Sequence, residues 1–219
     1  MLRFDIITLF PDIIAKHLEY LPFKKALSEK LIEVNIVNLR DFAIDKHGTV
    51  DDKPFGGGSG MILMIEPISK ALEHIKSKTP NIKNRKIVVL SPRGKTYNQQ
   101  NAKEFLGVEQ MILICGRYEG IDGRVEENFA TDVISIGNYV LSGGEIPALA
   151  VMESVTRLIP GVIEKDDVTS NESFEKNNIE YPQYTRPSDF NGLKVPEVLL
   201  NGNHKEIENW KLKHTKKVK

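Results

Sequence analysis

Apolar residues along this chain fall into two rhythms. Short runs dense in branched apolar side chains recur at residues 2–9, at "VNIVN" (34–38), "KIVVLS" (86–91), "MILIC" (111–115) and "DVISI" (132–136). Runs this short predict buried strands rather than helices. Between them the apolar positions recur at helical spacing. Ile68, Ala71, Leu72 and Ile75 share one face of a helix predicted over 67–77, another is predicted over 98–106, and Pro11-Asp12 opens one after the first strand. The clearest helix is predicted over 145–159, where Ala148, Met152, Val155 and Ile159 line a stripe that Leu149, Val151 and Leu158 widen. Pro147 sits in its first turn, where amide hydrogens lack intrahelical partners anyway, and Pro160-Gly161 ends it. Strands alternating with helices predict an α/β fold: a mainly parallel sheet with helices on both faces. Beyond about residue 162 the rhythm is lost. Residues 164–192 are polar and loop-like, and 203–217 predict a last helix. The expected organisation is an α/β domain over 1–161, a flexible linker over 162–195 and a short helical domain over 196–219.

Composition narrows the partners. Lysine plus arginine number 30 and aspartate plus glutamate number 30, so formal net charge is zero. Any nucleic-acid contact must then come from local basic patches. Cys115 is the only cysteine, inside "MILIC", and reads as a small buried hydrophobe. That excludes a disulfide within the chain and a zinc site built on several thiolates, and it fits a reducing cytosol. "MLRFDIITLFPD" runs straight into a strand without a signal-peptide pattern, and no stretch is apolar enough to span a membrane. A cytoplasmic protein is expected.

Three of the predicted strands end in glycine turns: Gly94, then Gly116 with Gly120, then Gly137 with Gly143 and Gly144. In open α/β sheets, ligands bind outside the carboxyl ends of strands. A lone glycine turn usually just reverses the chain, but three at successive strand ends point to a ligand. The third, within "SIGNYVLSGGEIPALA" (135–150), has no lysine or arginine, and its only charge is Glu145. It matches neither a Walker loop nor a dinucleotide fingerprint. It suits a neutral or cationic guest instead: an adenine between Ile136, Tyr139 and Leu141, or a sulfonium centre.

"SPRGK", "CGRYEGIDGRV", "SIGNYVLSGGE", "RLIPGV" and "YPQYTRP", with "VDDKPFGGGSGM" and "VPEVLLNGNHKEIENWKLK", resemble the signature segments of bacterial tRNA (guanine-N1)-methyltransferases, in order and over nearly the whole chain. The resemblance implies an α/β domain tied in a C-terminal trefoil knot, of the SPOUT type, and a homodimer with active sites at the subunit interface. It implies binding of S-adenosylmethionine and methylation of N1 of guanosine at tRNA position 37. The cofactor positions it implies are Leu90, Pro92, Gly94, Gly116, Tyr118, Gly120, Ser135, Ile136, Gly137, Asn138, Tyr139, Val140, Leu141, Gly143, Gly144 and Pro147. Such proteins run further past the last helix, so a shortened C-terminal domain is expected here.

The chemistry needs a base, because guanine N1 carries a proton at neutral pH, and a cation where charge builds on O6. By resemblance, Glu172 in "SNESF" holds the base position, where the family has aspartate. Asp166 and Asp167 are nearby alternatives, and an arbitrary loop glutamate is usually only solvated. By resemblance, Arg157 stabilises the reacting guanine, although an arginine at a helix C-terminus is also favourable in its own right. Glu119 is implied to contact the base or cofactor, directly or through Mg²⁺. Asp51 is a candidate reader of the neighbouring guanosine. Arg117 and Arg186 are candidate RNA contacts and equally plain surface charges. The tail over 211–219 has five lysines and no acid, suited to phosphates. Trp210 and Tyr184 could stack on bases or pack in a small core. Two other readings fit the same residues: an RNA-binding relative with weakened catalysis, and a knotted methyltransferase acting on another RNA.

Overall fold

The computed structural model describes residues 1–163, 172–174 and 177–218. The chain divides into two compact units, Met1–Glu164 and Lys165–Lys219. The first holds β1 (Leu2–Thr8), α1 (Pro11–His17), α2 (Phe23–Ser28), β2 (Ile32–Asn38), β3 (Asp51–Asp52), β4 (Ile62–Leu63), α3 (Ile65–Lys78), β5 (Arg85–Thr96), α4 (Gln99–Phe105), β6 (Gln110–Cys115), α5 (Gly123–Asn128), β7 (Asp132–Ser135) and α6 (Glu145–Thr156).

Five strands form one sheet in the order β2-β1-β6-β5-β7, and every neighbouring pair is parallel. Both faces are covered, so strand residues of either parity are apolar. Phe4, Ile6, Val88, Leu113 and Cys115 face α1, α2, α4 and α6. Ile7, Ile87, Val89, Ile112 and Ile114 face α3 and α5. Helix α6 is buried along most of its length, through Ala148, Leu149, Val151, Met152 and Val155, which explains why its apolar stripe is so wide. It ends at Thr156, three residues before the predicted stop, with Arg157 as its C-cap.

The strand expected to stop at Ser91 runs on to Thr96. Leu90 pairs with Ile134, and after a register shift Lys95 pairs with the same residue and Thr96 with Ser135. The turn "SPRG" is therefore an excursion within β5. It returns the chain alongside β7, where Tyr97 N–H donates to the Ser135 carbonyl at 2.8 Å. At Gly94 the backbones almost touch: a Cβ there would lie 2.5 Å from Ile134 N.

One buried strand position carries a charge. Asp5 on β1 is fully buried. It accepts from Arg3 at 2.8 and 2.9 Å, from Asn35 Nδ2 at 2.7 Å and from Gln110 Nε2 at 2.6 Å. The carboxylate joins three adjacent strands. Without it the Gln110 and Asn35 amides lose their buried acceptor, and Arg3 keeps only Glu33. Asp5→Ala is expected to lower unfolding free energy by about 3–5 kcal/mol, read from the shift of the urea midpoint.

In the second unit, β8 (Asn178–Ile179) pairs antiparallel with β11 (Lys216–Lys217), and β9 (Asp189–Phe190) pairs with β10 (Leu193–Lys194). Both β8 and the β9–β10 hairpin lie within the segment expected as linker. Helix α7 (His204–His214) is N-capped by Asn203, whose side chain accepts from Glu206 N–H. Trp210 on α7 is half-buried. It packs edge-on against Tyr181 and Tyr184 and stacks on His214 with ring centres 4.0 Å apart, in a partly exposed aromatic cluster.

Candidate active site

Register brings the three glycine turns together. Leu90 lies opposite Cys115 on β6 and opposite Ile134 on β7. The excursion within β5 and the turns after β6 and β7 therefore leave the sheet at one level and share one cleft. Its volume is about 190 Å³, the scale of a small molecule rather than a nucleic-acid strand. Leu90 and Pro92 line it from the first turn, and Gly116, Tyr118 and Gly120 from the second. Ser135, Ile136, Gly137, Tyr139, Val140, Leu141, Gly143, Gly144 and Pro147 line it from the third. Ser91, Arg117, Glu119, Ile134 and Ser142 also line it. Four of these lie inside the quoted turns. Ile134 sits on β7 just before the third, so for Ser91, Ile134 and Ser142, which were not expected at the site, proximity in sequence was the only signal.

Two expected cofactor positions are not among the lining residues. Asn138 lies exposed outside the lining. Gly94 belongs to the contact between β5 and β7, where its missing side chain lets the two backbones approach. Gly144 serves packing as well as lining. A Cβ there would lie 2.6 Å from Cys115 Cα, and its N–H donates to the Gly116 carbonyl at 2.9 Å. The second and third turns are thus joined backbone to backbone at the start of α6.

The walls mix apolar side chains with exposed backbone, and the charged lining residues are Arg117 and Glu119. Glu119 is solvent-facing, and its N–H donates to the Met61 carbonyl at 3.0 Å, so the chain around β4 buttresses the cleft mouth. Arg117 is committed elsewhere. Its Nε donates to Glu145 Oε2 at 2.9 Å and its Nη2 lies 2.8 Å from the same oxygen. Thr8 Oγ1 donates to Glu145 Oε1 at 2.8 Å and accepts from Phe10 N–H at 2.9 Å. The guanidinium also lies 4.3 Å from the centre of the Phe10 ring. The sequence offered Arg117 as an RNA contact or a plain surface charge; the structure adds a role as an internal fastening. Cys115, the last residue of β6, is buried, and burial beside Glu145 raises its thiol well above the ordinary range, which keeps it uncharged and unreactive.

The remaining expected site residues lie apart in sequence. Asp51 is half-buried on β3, opposite Leu63. Arg157 is half-buried at the end of α6. Glu172 is half-buried in the second unit, next to Ser173, whose Oγ accepts from Glu180 N–H at 3.2 Å. Arg186 is exposed over a hollow lined by Tyr184, Val195, Leu199 and Leu200. Asp166 and Asp167 lie outside the described residues. Among the described residues no three His, Cys, Asp or Glu side chains cluster as metal ligands, and no helix is long and apolar enough to cross a membrane.

Known proteins resemble this chain in sequence and fold. The family profile described as tRNA (Guanine-1)-methyltransferase TrmD matches residues 2–219. The tRNA (guanine-N(1)-)-methyltransferase of Clostridioides difficile is 51% identical over 210 residues, spanning 96% of this chain and 90% of the relative. That of Dictyoglomus turgidum is 48% identical over 217 residues, spanning 99% and 86%. The crystal structure of the tRNA (m1G37) methyltransferase from Aquifex aeolicus superimposes with a TM-score of 0.81 at 41% identity, covering 97% of this chain and 88% of that one.

Proposed function

This chain belongs to the tRNA (guanine-1)-methyltransferase family, and from that premise we propose that it transfers a methyl group from S-adenosylmethionine to N1 of guanosine 37 in tRNA. The observation that carries the reading is the one cleft shared by the excursion within β5 and the turns after β6 and β7. Its chemistry fits this donor. The apolar walls Leu90, Ile136, Tyr139 and Leu141 suit an adenine, and bare backbone in the turns offers amides and carbonyls to its edge. Glu119 adds the negative charge a sulfonium favours. The donor supplies an electrophilic methyl group, and the protein's part is to place guanine N1 in line with it and deprotonate it.

In this reading Glu172 accepts the N1 proton, and Arg157 stabilises the charge that builds on O6. Glu119 holds the base or the cofactor, directly or through Mg²⁺. Asp51 reads the neighbouring guanosine. Arg186 and the lysines of the tail meet tRNA phosphates. The excursion of β5 around the end of β7 is read as part of a trefoil knot. Phe10 just before α1, Ile13 on α1 and Ile146 in the first turn of α6 keep apolar side chains exposed. Uncovered apolar surface of this kind supports a homodimer with active sites at the subunit interface. The protein works in the cytoplasm, where its substrate is.

A single-turnover assay with methyl-labelled S-adenosylmethionine and unmodified tRNA tests the reading. Label is expected in 1-methylguanosine at position 37. Label in another nucleoside refutes the substrate assignment, and bound donor without transfer leaves only a binding protein.

A further inference from the structure

We propose that Glu145 is the buried counterion that cancels the charge of Arg117 beside the cleft, so that the cleft accepts a cationic methyl donor. The inference rests on reading this cleft as the S-adenosylmethionine site.

Among the described lining residues Arg117 is the only cation. A guanidinium stays protonated in any protein environment. Left alone, it would oppose a sulfonium bound in the same cleft. Glu145 does not line the cleft and is 1% exposed, yet its carboxylate lies 2.8 Å from Arg117 Nη2. Its other oxygen accepts from Thr8 at the end of β1. The carboxylate is thus fixed against the guanidinium and away from solvent. With that pair neutral overall, Glu119 is the remaining charge, and the cleft is negative towards its guest.

Geometry ties the same pair to the turns. Arg117 Nη1 donates to the Ser142 carbonyl at 3.3 Å, and residue 117 bridges both Gly120 and Gly143. A side chain at position 143 would strike the guanidinium. Glu145 is therefore a positioning residue with two effects that can be separated. Holding Arg117 shapes the cleft for any ligand of this shape. Cancelling its charge matters only to a ligand that is positive.

The donor and its product provide that contrast. S-adenosylmethionine carries a sulfonium, whereas S-adenosylhomocysteine has a neutral thioether and otherwise the same groups. Each is titrated calorimetrically into the full chain, wild type and Glu145→Gln. In the variant the uncompensated guanidinium acts through a partly dry medium. The ratio of the two dissociation constants is expected to shift against the donor on the order of tenfold. Removing both charges, in Glu145→Gln with Arg117→Gln, restores the wild-type ratio even where both ligands bind more weakly. An unchanged ratio in folded Glu145→Gln overturns the inference, because equal loss for both ligands is what a purely structural role gives. If that variant does not fold, the doubly neutral protein decides, and a ratio different from wild type overturns the inference. A wild-type protein that binds neither compound refutes the cofactor reading itself, a result distinct from an unchanged ratio.

Discussion

Glu172→Ala is expected to slow methyl transfer by at least roughly a hundredfold, the usual scale of a lost general base. Affinity for S-adenosylmethionine should stay within about twofold, because every residue lining the cleft lies between Leu90 and Pro147 and additive binding is normal for sites without shared partners. The separation matters, since a substitution that merely loosened the protein would weaken both quantities. Single-turnover rates at saturating donor, alongside a donor titration, measure the two independently. Glu172→Gln should behave like the alanine variant, because an amide cannot take the N1 proton. Glu172→Asp should retain the larger share of the rate, since it restores the residue that the resembled family carries at this position. Undiminished turnover in Glu172→Ala would place the base elsewhere, with Asp166 and Asp167 the next to replace.

The structure also shows which features local sequence can reveal. Strands β5, β6 and β7 were legible because a parallel sheet covered on both faces needs unbroken apolar runs, and "KIVVL", "MILIC" and "DVISI" are such runs. The glycine turns were legible because their positions follow directly from the strand ends. Helix α5 was not, as its sequence "GRVEEN" buries only Val125 and leaves no period to detect. The short α2 likewise buries only Phe23 and Ala26. Pairings across long separations left no local trace. Thr8 and Glu145 are 137 residues apart in sequence, and nothing near either one announces the other. Asp5 within β1 was equally silent, because its partners Asn35 and Gln110 come from neighbouring strands. Arg117 was visible as a charge in a turn. Only its commitment to Glu145 separates an internal fastening from a surface contact. Chemistry that depends on one segment was therefore readable, and chemistry that depends on which segments meet was not.

Gly94→Ala tests the most consequential of those meetings. The added methyl would sit 2.5 Å from Ile134 N and Val133 C and 2.6 Å from Val133 O. All three atoms are backbone, so no rotamer change can relieve the clash. Either β5 or β7 must move, and with it the register that aligns Leu90 with Ile134. Overpacking of this kind costs typically 1–3 kcal/mol and occasionally more, and backbone against backbone belongs at the upper end. Ile134 and Ser135 line the cleft, so donor affinity should fall together with stability, in contrast to Glu172→Ala. Gly123→Ala provides the control. A Cβ at Gly123 meets nothing within 4 Å, and the residue begins α5 without a left-handed backbone. That substitution should be neutral, or stabilising by about 0.4–1 kcal/mol through the unfolded state. Urea midpoints and donor titrations of the two variants measure both effects. Should Gly94→Ala match wild type in both, the strands are not held as closely as this geometry requires, and the turn after Leu90 is free to shift without disturbing the cleft.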